Sequence, residues 1–313
     1  MSKIVGLGKA LPPRRMCNHE FEGRLDTTDE WIRSRTGIVA RHLLEEKSLS
    51  ALAEQALRQA LEQAGITAAD LDVLLVATMT PDERMPSMAC RVAGALGIEG
   101  CLCFDINAAC SGFLYGFMTA DSLLAGGRHY AAVIGAEALS RVLDWEDRNT
   151  CILFGDGAGA VVLEADGRPA VYTAGTKPDS SGQLELGCGG SDCIRMKGRE
   201  VYKFATHIVP ELIRQLCESS KTAVSDIDKV VAHQANIRIL QSAAEKTGIP
   251  IERWFSDLAD HGNTSAASVP IALYDAWQEG FLEDGDRVAL AGFGGGLTYG
   301  GVLVDWCLPK PKR

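Results

Sequence analysis

Short apolar runs without strict alternation recur along the chain, at Leu74–Ala77, Ala131–Ile134 and Val288–Ala291. A strand with one wet face alternates apolar and polar residues, so these runs predict strands covered by helices on both faces. Polar-patterned helices are predicted over Leu49–Ala64 and Ala205–Ser219, each leading through an Asp-x-Asp turn into a short apolar strand. The opening residues, Met1 to Gly8, read as a first strand and lack signal-peptide architecture, which predicts a cytoplasmic protein. No apolar run approaches the length of a membrane span.

The pattern occurs twice. Leu57-Arg58-Gln59-Ala60-Leu61-Glu62 followed by Asp70-Leu71-Asp72-Val73 matches Ile213-Arg214-Gln215-Leu216-Cys217-Glu218 followed by Asp226-Ile227-Asp228-Lys229, both at an offset of 156. Phe154-Gly155-Asp156-Gly157 ahead of Val161-Val162-Leu163 is echoed by Phe293-Gly294-Gly295-Gly296 ahead of Val302-Leu303-Val304. Self-similarity at a fixed spacing marks duplicated units packed together. The chain divides into halves at 1–166 and 167–313, each predicted to close with a glycine-rich hairpin. Lys177 to Ser191, rich in Gly and Ser, reads as a surface loop.

Composition narrows the class. The 313 residues are 46% hydrophobic and 23% charged, ordinary for a globular protein. A net charge of −10 argues against general nucleic-acid binding, although Lys197, Arg199, Lys203, Arg214 and Arg238 gather locally and suit an acidic partner. Ten cysteines include no CxxC pair. Cys101 and Cys103 are read as facing opposite ways across a strand, and Cys188 with Cys193 as a weak zinc candidate, so no metal site is predicted and most thiols read as reduced core residues.

One thiol differs. In Asn107-Ala108-Ala109-Cys110-Ser111-Gly112-Phe113, Cys110 precedes a helix-like stretch, Gly112 to Leu124, and a thiol at a helix start is expected to favour thiolate. Two polar islands stand far downstream, at Ala232-His233-Gln234-Ala235-Asn236 and at His261-Gly262-Asn263-Thr264-Ser265. A Cys, a His and an Asn suit a nucleophile with two hydrogen-bonding helpers. Each residue alone also fits a structural role: a core thiol, a satisfied core histidine and a turn asparagine. The duplication lets the three converge at the seam between halves. His261 reads as a loop or packing residue.

At these residues the chain resembles the β-ketoacyl-acyl carrier protein synthase III family of the thiolase superfamily. The resemblance is carried by Thr28-Asp29-Glu30-Trp31-Ile32, Arg35-Thr36-Gly37-Ile38, Ala108-Ala109-Cys110-Ser111-Gly112-Phe113, Phe154-Gly155-Asp156-Gly157-Ala158-Gly159, His233-Gln234-Ala235-Asn236-Ile237-Arg238, Gly262-Asn263-Thr264-Ser265-Ala266-Ala267-Ser268 and Phe293-Gly294-Gly295-Gly296. It implies an α/β, thiolase-like duplicated fold: five layers, αβαβα, with two central mixed sheets.

The implied activity is a decarboxylative Claisen condensation. Cys110 takes the acyl group of a short acyl-CoA, acetyl first among them, and malonyl-acyl carrier protein extends it. His233 and Asn263 hold the enolate, and the backbone N–H groups of Cys110 and Gly295 form the oxyanion hole. Trp31, Arg35, Arg148, Gly198, Tyr202, Asn236 and Arg238 map to CoA and pantetheine binding, Met85 to an acyl pocket across a homodimer seam, and Lys203 with Arg238 to carrier-protein docking. The CoA thioester is substrate, and no cofactor, nucleic acid or membrane is implied. A degradative thiolase needs a second cysteine in the last glycine-rich hairpin, which here has none. The alternatives are a starter enzyme of natural-product synthesis and a non-catalytic interaction subunit.

Overall fold

In the computed structural model the described residues are 2–45, 47–167, 171–178, 184–186 (backbone only) and 193–311. Their strands are β1 (Ser2–Ala10), β2 (Arg14–Cys17), β3 (Ala40–Leu43), β4 (Val73–Ala77), β5 (Leu102–Ile106), β6 (Tyr130–Ala138), β7 (Asp156–Ala165), β8 (Tyr172–Thr176), β9 (Leu184–Leu186), β10 (Ile194–Met196), β11 (Lys229–Ala232), β12 (Arg287–Gly294) and β13 (Thr298–Asp305). The helices are α1 (Asp29–Thr36), α2 (Leu49–Ala64), α3 (Met88–Leu96), α4 (Gly112–Ala125), α5 (Arg148–Cys151), α6 (Gly198–Ser220), α7 (Ile237–Thr247), α8 (Leu258–His261) and α9 (Ser268–Gln278).

The two main sheets run β1-β7-β6-β4-β5 and β11-β12-β13-β8. Reading the second from its far end gives β8-β13-β12-β11, and its pair directions (antiparallel, antiparallel, parallel) repeat those of β1-β7-β6-β4. The sequence repeat is therefore a repeat of strand order.

The apolar runs fall as the pattern requires. In β4, Val73 and Leu75 join a core with α4 and α9, including Phe113, Phe117, Val269 and Leu273, which also holds Val231 and Leu290 of the other sheet. Leu74 and Val76 face the opposite way, onto α2 and α3. A third cluster packs α6 and α7 on the outer face of the second sheet. The layers are thus α2/α3, first sheet, α4/α9, second sheet, α6/α7. Burying large aliphatic side chains contributes roughly 1.5–3 kcal/mol each, so both faces of each sheet supply stability.

Helix α2 begins where Ser48 Oγ accepts from Ala51 N and ends at Gly65 with φ +69. Its apolar stripe meets β1 closely, because a Cβ on Gly8 would stand 1.9 Å from the Ala56 carbonyl oxygen. Glycine is what lets the helix lie on that strand.

Three expectations need correction. The first half does not close with a tight hairpin: residues 139–155, including α5, separate β6 from β7, whereas Gly294 and Thr298 close a true hairpin between β12 and β13. Helix α6 starts at Gly198, seven residues before the predicted Ala205, because its first turns carry charged residues that mask the apolar period. Cys101 and Cys103 share a face, since residues two apart on a strand point the same way, and both pack on the α2/α3 side. Cys188 and residues 179–183 and 187–191 of the predicted loop lie outside the described residues, as do 168–170 beside the predicted division.

Candidate active site

Cys110 sits in a single 3-10 turn, Ala109–Ser111, that runs directly into α4. Ala109 enters that turn with φ +47, a left-handed conformation rare for alanine. Gly294, at the end of β12, backs onto it: a Cβ there would stand 2.6 Å from Cys110 N and 3.1 Å from Cys110 Cβ. The glycine-rich turn thus lies against Cys110, and Gly295 joins the cavity wall.

His233 follows the last residue of β11, anchored by its N–H to the Ala291 carbonyl at 2.8 Å. Its ring packs edge-on to Phe293, with centroids 5.2 Å apart, and its Nδ1 lies 2.6 Å from Ser268 Oγ at the start of α9. Only 2% of His233 is exposed, and burial drives its pKa down to about 3. The ring is a neutral imidazole at working pH.

Asn263 is held by main chain: its N–H donates to the Leu153 carbonyl at 2.8 Å, and its carbonyl accepts from Gly155 N at 3.1 Å. Its Oδ1 accepts from Ser265 N at 2.9 Å. That bond commits the oxygen and leaves the amide nitrogen as donor.

Cys110, His233 and Asn263 line one cavity of ≈ 520 Å³. Its wall also includes Trp31, Arg35, Gly198, Tyr202, Asn236 and Gly295. Trp31 and Tyr202, each 36% exposed, stand at the solvent end, and the buried His233 and Asn263 mark the inner end. Asn236 is structurally engaged as well. Its Oδ1 caps α7 through Arg238 N at 2.9 Å, and its Nδ2 donates to the Arg35 carbonyl at 3.0 Å, tying α1 to α7.

Four other expected residues lie outside this cavity wall. Arg148 lies outside the wall with its guanidinium 4.9 Å from the Trp31 ring centre, bonded to Asp26. Arg238 sits on the first turn of α7, and Lys203 is exposed on α6 beside Glu200 at 3.0 Å. Met85 is 83% exposed and lines no part of this chain's own cavity.

The predicted thiolate needs correction. Burial pushes the Cys110 thiol up to about 12, against an opposing hydrogen bond from Ser265. Desolvation outweighs what one 3-10 turn offers.

Sequence reasoning missed several residues of the site. Met79, Ile194 and Val201 line the cavity but look like any other apolar residue in sequence. Ser265 and Ser268 fall within the run Gly262–Ser268, and only their contacts distinguish them. Glu137, wholly buried on β6, accepts from Thr80 Oγ1 at 2.6 Å and from Ser265 Oγ at 3.3 Å; a lone Glu in a strand gave no signal. His261 is buried outside the cavity wall: its Nε2 lies 2.8 Å from Asp275 Oδ2, and Lys9 pairs with the same carboxylate.

Known proteins resemble this chain over nearly its whole length. Residues 104–181 match the family model described as 3-oxoacyl-[acyl-carrier-protein (ACP)] synthase III, and residues 217–306 match the C-terminal model of the same name. A β-ketoacyl-[acyl-carrier-protein] synthase III of Aquifex aeolicus is 44% identical over 97% of this chain and 99% of its own length. The protein of the same name from Rhizobium meliloti is 46% identical, covering 97% and 99%. The Aquifex crystal structure superposes with a TM-score of 0.94 at 42% identity, covering 98% of this chain and 100% of that one. The priming β-ketosynthase of the R1128 polyketide pathway also reaches 0.94, at 33% identity, covering 99% and 97%.

Proposed function

The chain belongs to the 3-oxoacyl-[acyl-carrier-protein] synthase III family, the condensing acyltransferases that initiate fatty acid biosynthesis, and from that premise we propose how its residues divide the work. Cys110 attacks the thioester of a short acyl-CoA and keeps the acyl group. Malonyl-acyl carrier protein then loses CO2, and the resulting carbanion attacks the acyl-cysteine to give a 3-oxoacyl-acyl carrier protein. The convergence of Cys110, His233 and Asn263, from three distant segments, on one cavity carries this assignment.

A neutral imidazole and a carboxamide suit an enolate. With Ser268 donating to Nδ1, His233 Nε2 keeps its hydrogen, and it and Asn263 Nδ2 stabilise the developing charge without surrendering a proton. The N–H groups of Cys110 and Gly295 hold the tetrahedral oxyanion. In this division the nucleophile comes from residues 1–166 and its two helpers from 167–313.

Trp31 and Arg148 bracket the CoA base, parting from their mutual stack to admit it, with Arg35 at the phosphates. Gly198, Tyr202 and Asn236 line the pantetheine path. Lys203 and Arg238 receive the acidic carrier protein. The exposed Met85 supports an acyl pocket completed by a second copy in a homodimer. The CoA thioester is substrate and no cofactor is called for. The site of action is the cytoplasm; among the described residues no helix is long and apolar enough to cross a membrane.

Intact-mass measurement after incubation with acetyl-CoA tests the assignment. One acetyl group is expected on Cys110, none on Cys110→Ala; His233→Ala and Asn263→Ala should label normally but fail to decarboxylate malonyl-acyl carrier protein. Condensation at the normal rate by Cys110→Ala would overturn it. The likeness to a polyketide priming enzyme keeps the starter group open, and a panel of acyl-CoA starters decides between acetyl and longer or branched acyl groups.

A further inference from the structure

The guanidinium of Arg41, in β3, has no place in the chemistry so far. Arg41 is 0% exposed, and among the described residues it pairs with no carboxylate. Burial pulls its pKa down to about 10, so the group stays charged at neutral pH. Glu20, whose charge it feels, is taken by Arg14. A buried cation without a counter-ion is costly, and it persists only where hydrogen bonds replace the lost water.

Those bonds join separate segments. Nη2 donates to the Ile152 carbonyl at 2.6 Å. Nη1 donates to Asn18 Oδ1 at 2.9 Å and to the Met16 carbonyl at 3.4 Å. The guanidinium lies 5.0 Å from the centre of the Phe21 ring, close enough for a cation–π contact. A planar fork holds acceptors on two sides in fixed directions; an ammonium on a flexible stem does not.

Ile152 adjoins the anchor of Asn263. The Leu153 carbonyl accepts the Asn263 N–H at 2.8 Å, and the Gly155 N–H donates to the Asn263 carbonyl at 3.1 Å, so residues 152–155 set the main chain of Asn263. The stem of Arg41 backs the same stretch. A Cβ on Gly155 would stand 3.0 Å from Arg41 Cβ, and one on Gly262 would stand 3.4 Å from it. At the other end of the network, Asn18 Nδ2 donates to Asp29 Oδ1, on the first residue of α1, at 2.9 Å and to the Ile38 carbonyl at 2.8 Å.

We propose that Arg41 is a positioning residue for decarboxylation: by holding the Ile152 carbonyl it fixes residues 152–155, and through them the direction of the Asn263 amide that meets the enolate. Arg41 lies outside the cavity wall, and no proton or bond passes through it. Its leverage is geometric, since about 1 Å of misplacement can cost on the order of a hundredfold in rate. The loss should fall on one half-reaction. Acylation uses Cys110, to which Arg41 makes no hydrogen bond, whereas decarboxylation uses Asn263.

The proposal rests on Asn263 holding the enolate, and its test separates the two. Arg41→Lys keeps the charge and loses the fork. Acyl-enzyme formation from acetyl-CoA, followed by intact mass on the full-length chain, should stay within about threefold of wild type. CO2 release from malonyl-acyl carrier protein by enzyme already acylated should fall roughly thirtyfold in kcat, with KM within about threefold. In an Asn263→Ala background, adding Arg41→Lys should slow decarboxylation by less than about twofold, because the two residues act as a unit; a merely structural role would add its full loss. Asn18→Ala leaves the guanidinium in place and removes its Oδ1 acceptor, and decarboxylation by the acylated variant should fall roughly fivefold. Wild-type decarboxylation in folded Arg41→Lys, equal losses in both half-reactions, or additive losses in the double variant would overturn the positioning role. Should Arg41→Lys not fold, wild-type decarboxylation in Asn18→Ala would overturn it. Wild-type decarboxylation by Asn263→Ala would instead overturn the reading of Asn263.

Discussion

Ser268→Ala isolates the tautomer of His233. Ser268 Oγ lies 2.6 Å from His233 Nδ1, both residues are buried, and this is the one hydrogen bond the ring makes among the described residues. Removing the hydroxyl leaves a ring nitrogen dry and unpaired, a loss of about 1–3 kcal/mol. Nothing then holds the hydrogen on Nε2, where the proposed mechanism requires it. At about 1.4 kcal/mol per factor of ten, decarboxylation should slow by about 5- to 150-fold. Acylation should stay within about twofold, since the proposed mechanism gives His233 no part in it. The assay measures CO2 release from malonyl-acyl carrier protein by enzyme already carrying its acyl group, alongside acyl-enzyme formation by mass. Wild-type decarboxylation in the variant, or an equal fall in acylation, would refute the reasoning. In wild type the same step should show no inflection near pH 6.5, because burial holds His233 neutral down to about pH 3.

Other perturbations probe the surroundings. Gly294→Ala puts a methyl 2.6 Å from Cys110 N, backbone against backbone with little room to yield; acylation, read by mass, should fall on the order of a hundredfold while the cooperative melt persists. Trp31→Ala removes the stacking surface at the solvent end, and the KM for acetyl-CoA should rise roughly tenfold with kcat nearly unchanged. Asp257, whose side chain is largely buried and whose Oδ2 accepts no hydrogen bond though it lies 4.0 Å from His261 Nε2, has its pKa raised by burial to about 7, above the unfolded value near 3.9. The folded state therefore binds more protons between about pH 4 and 7, and the stabilising contribution of the neutral acid is lost as pH rises through that window. Asp257→Asn should melt higher than wild type at pH 8 and lose that advantage toward pH 5.

Much of this was legible in the sequence because the signals were local or repeated. Helix Leu49–Ala64 shows its apolar stripe and its caps outright, and the 156-residue offset carried over to strand order. Cys110, His233 and Asn263 stand out as polar residues in apolar settings. What stayed hidden depends on contacts between distant segments. Glu137 meets Ser265 across 128 positions, and its pKa reflects the depth of its burial. The Cys110 thiolate was predicted from a helix start alone, and burial reversed the sign. The first turns of α6 escaped notice because they face a cavity mouth, where apolar periodicity is not required.

The two left-handed turns, Ala109 with φ +47 and Ser265 with φ +51, lie 156 residues apart and occupy equivalent places before α4 and α9. The counterpart of Cys110 is therefore Ala266, and the two turns have divergent fates. The carbonyl of Ala266 presses on Gly135, and its methyl lies 3.6 Å from where a Cβ on Gly112 would be. Ala266 is 1% exposed and lines no part of the cavity that holds Cys110. A cysteine installed at 266 would thus be an inert core thiol. The same left-handed turn thus presents a thiol to the cavity in one half and a packed methyl to the core in the other.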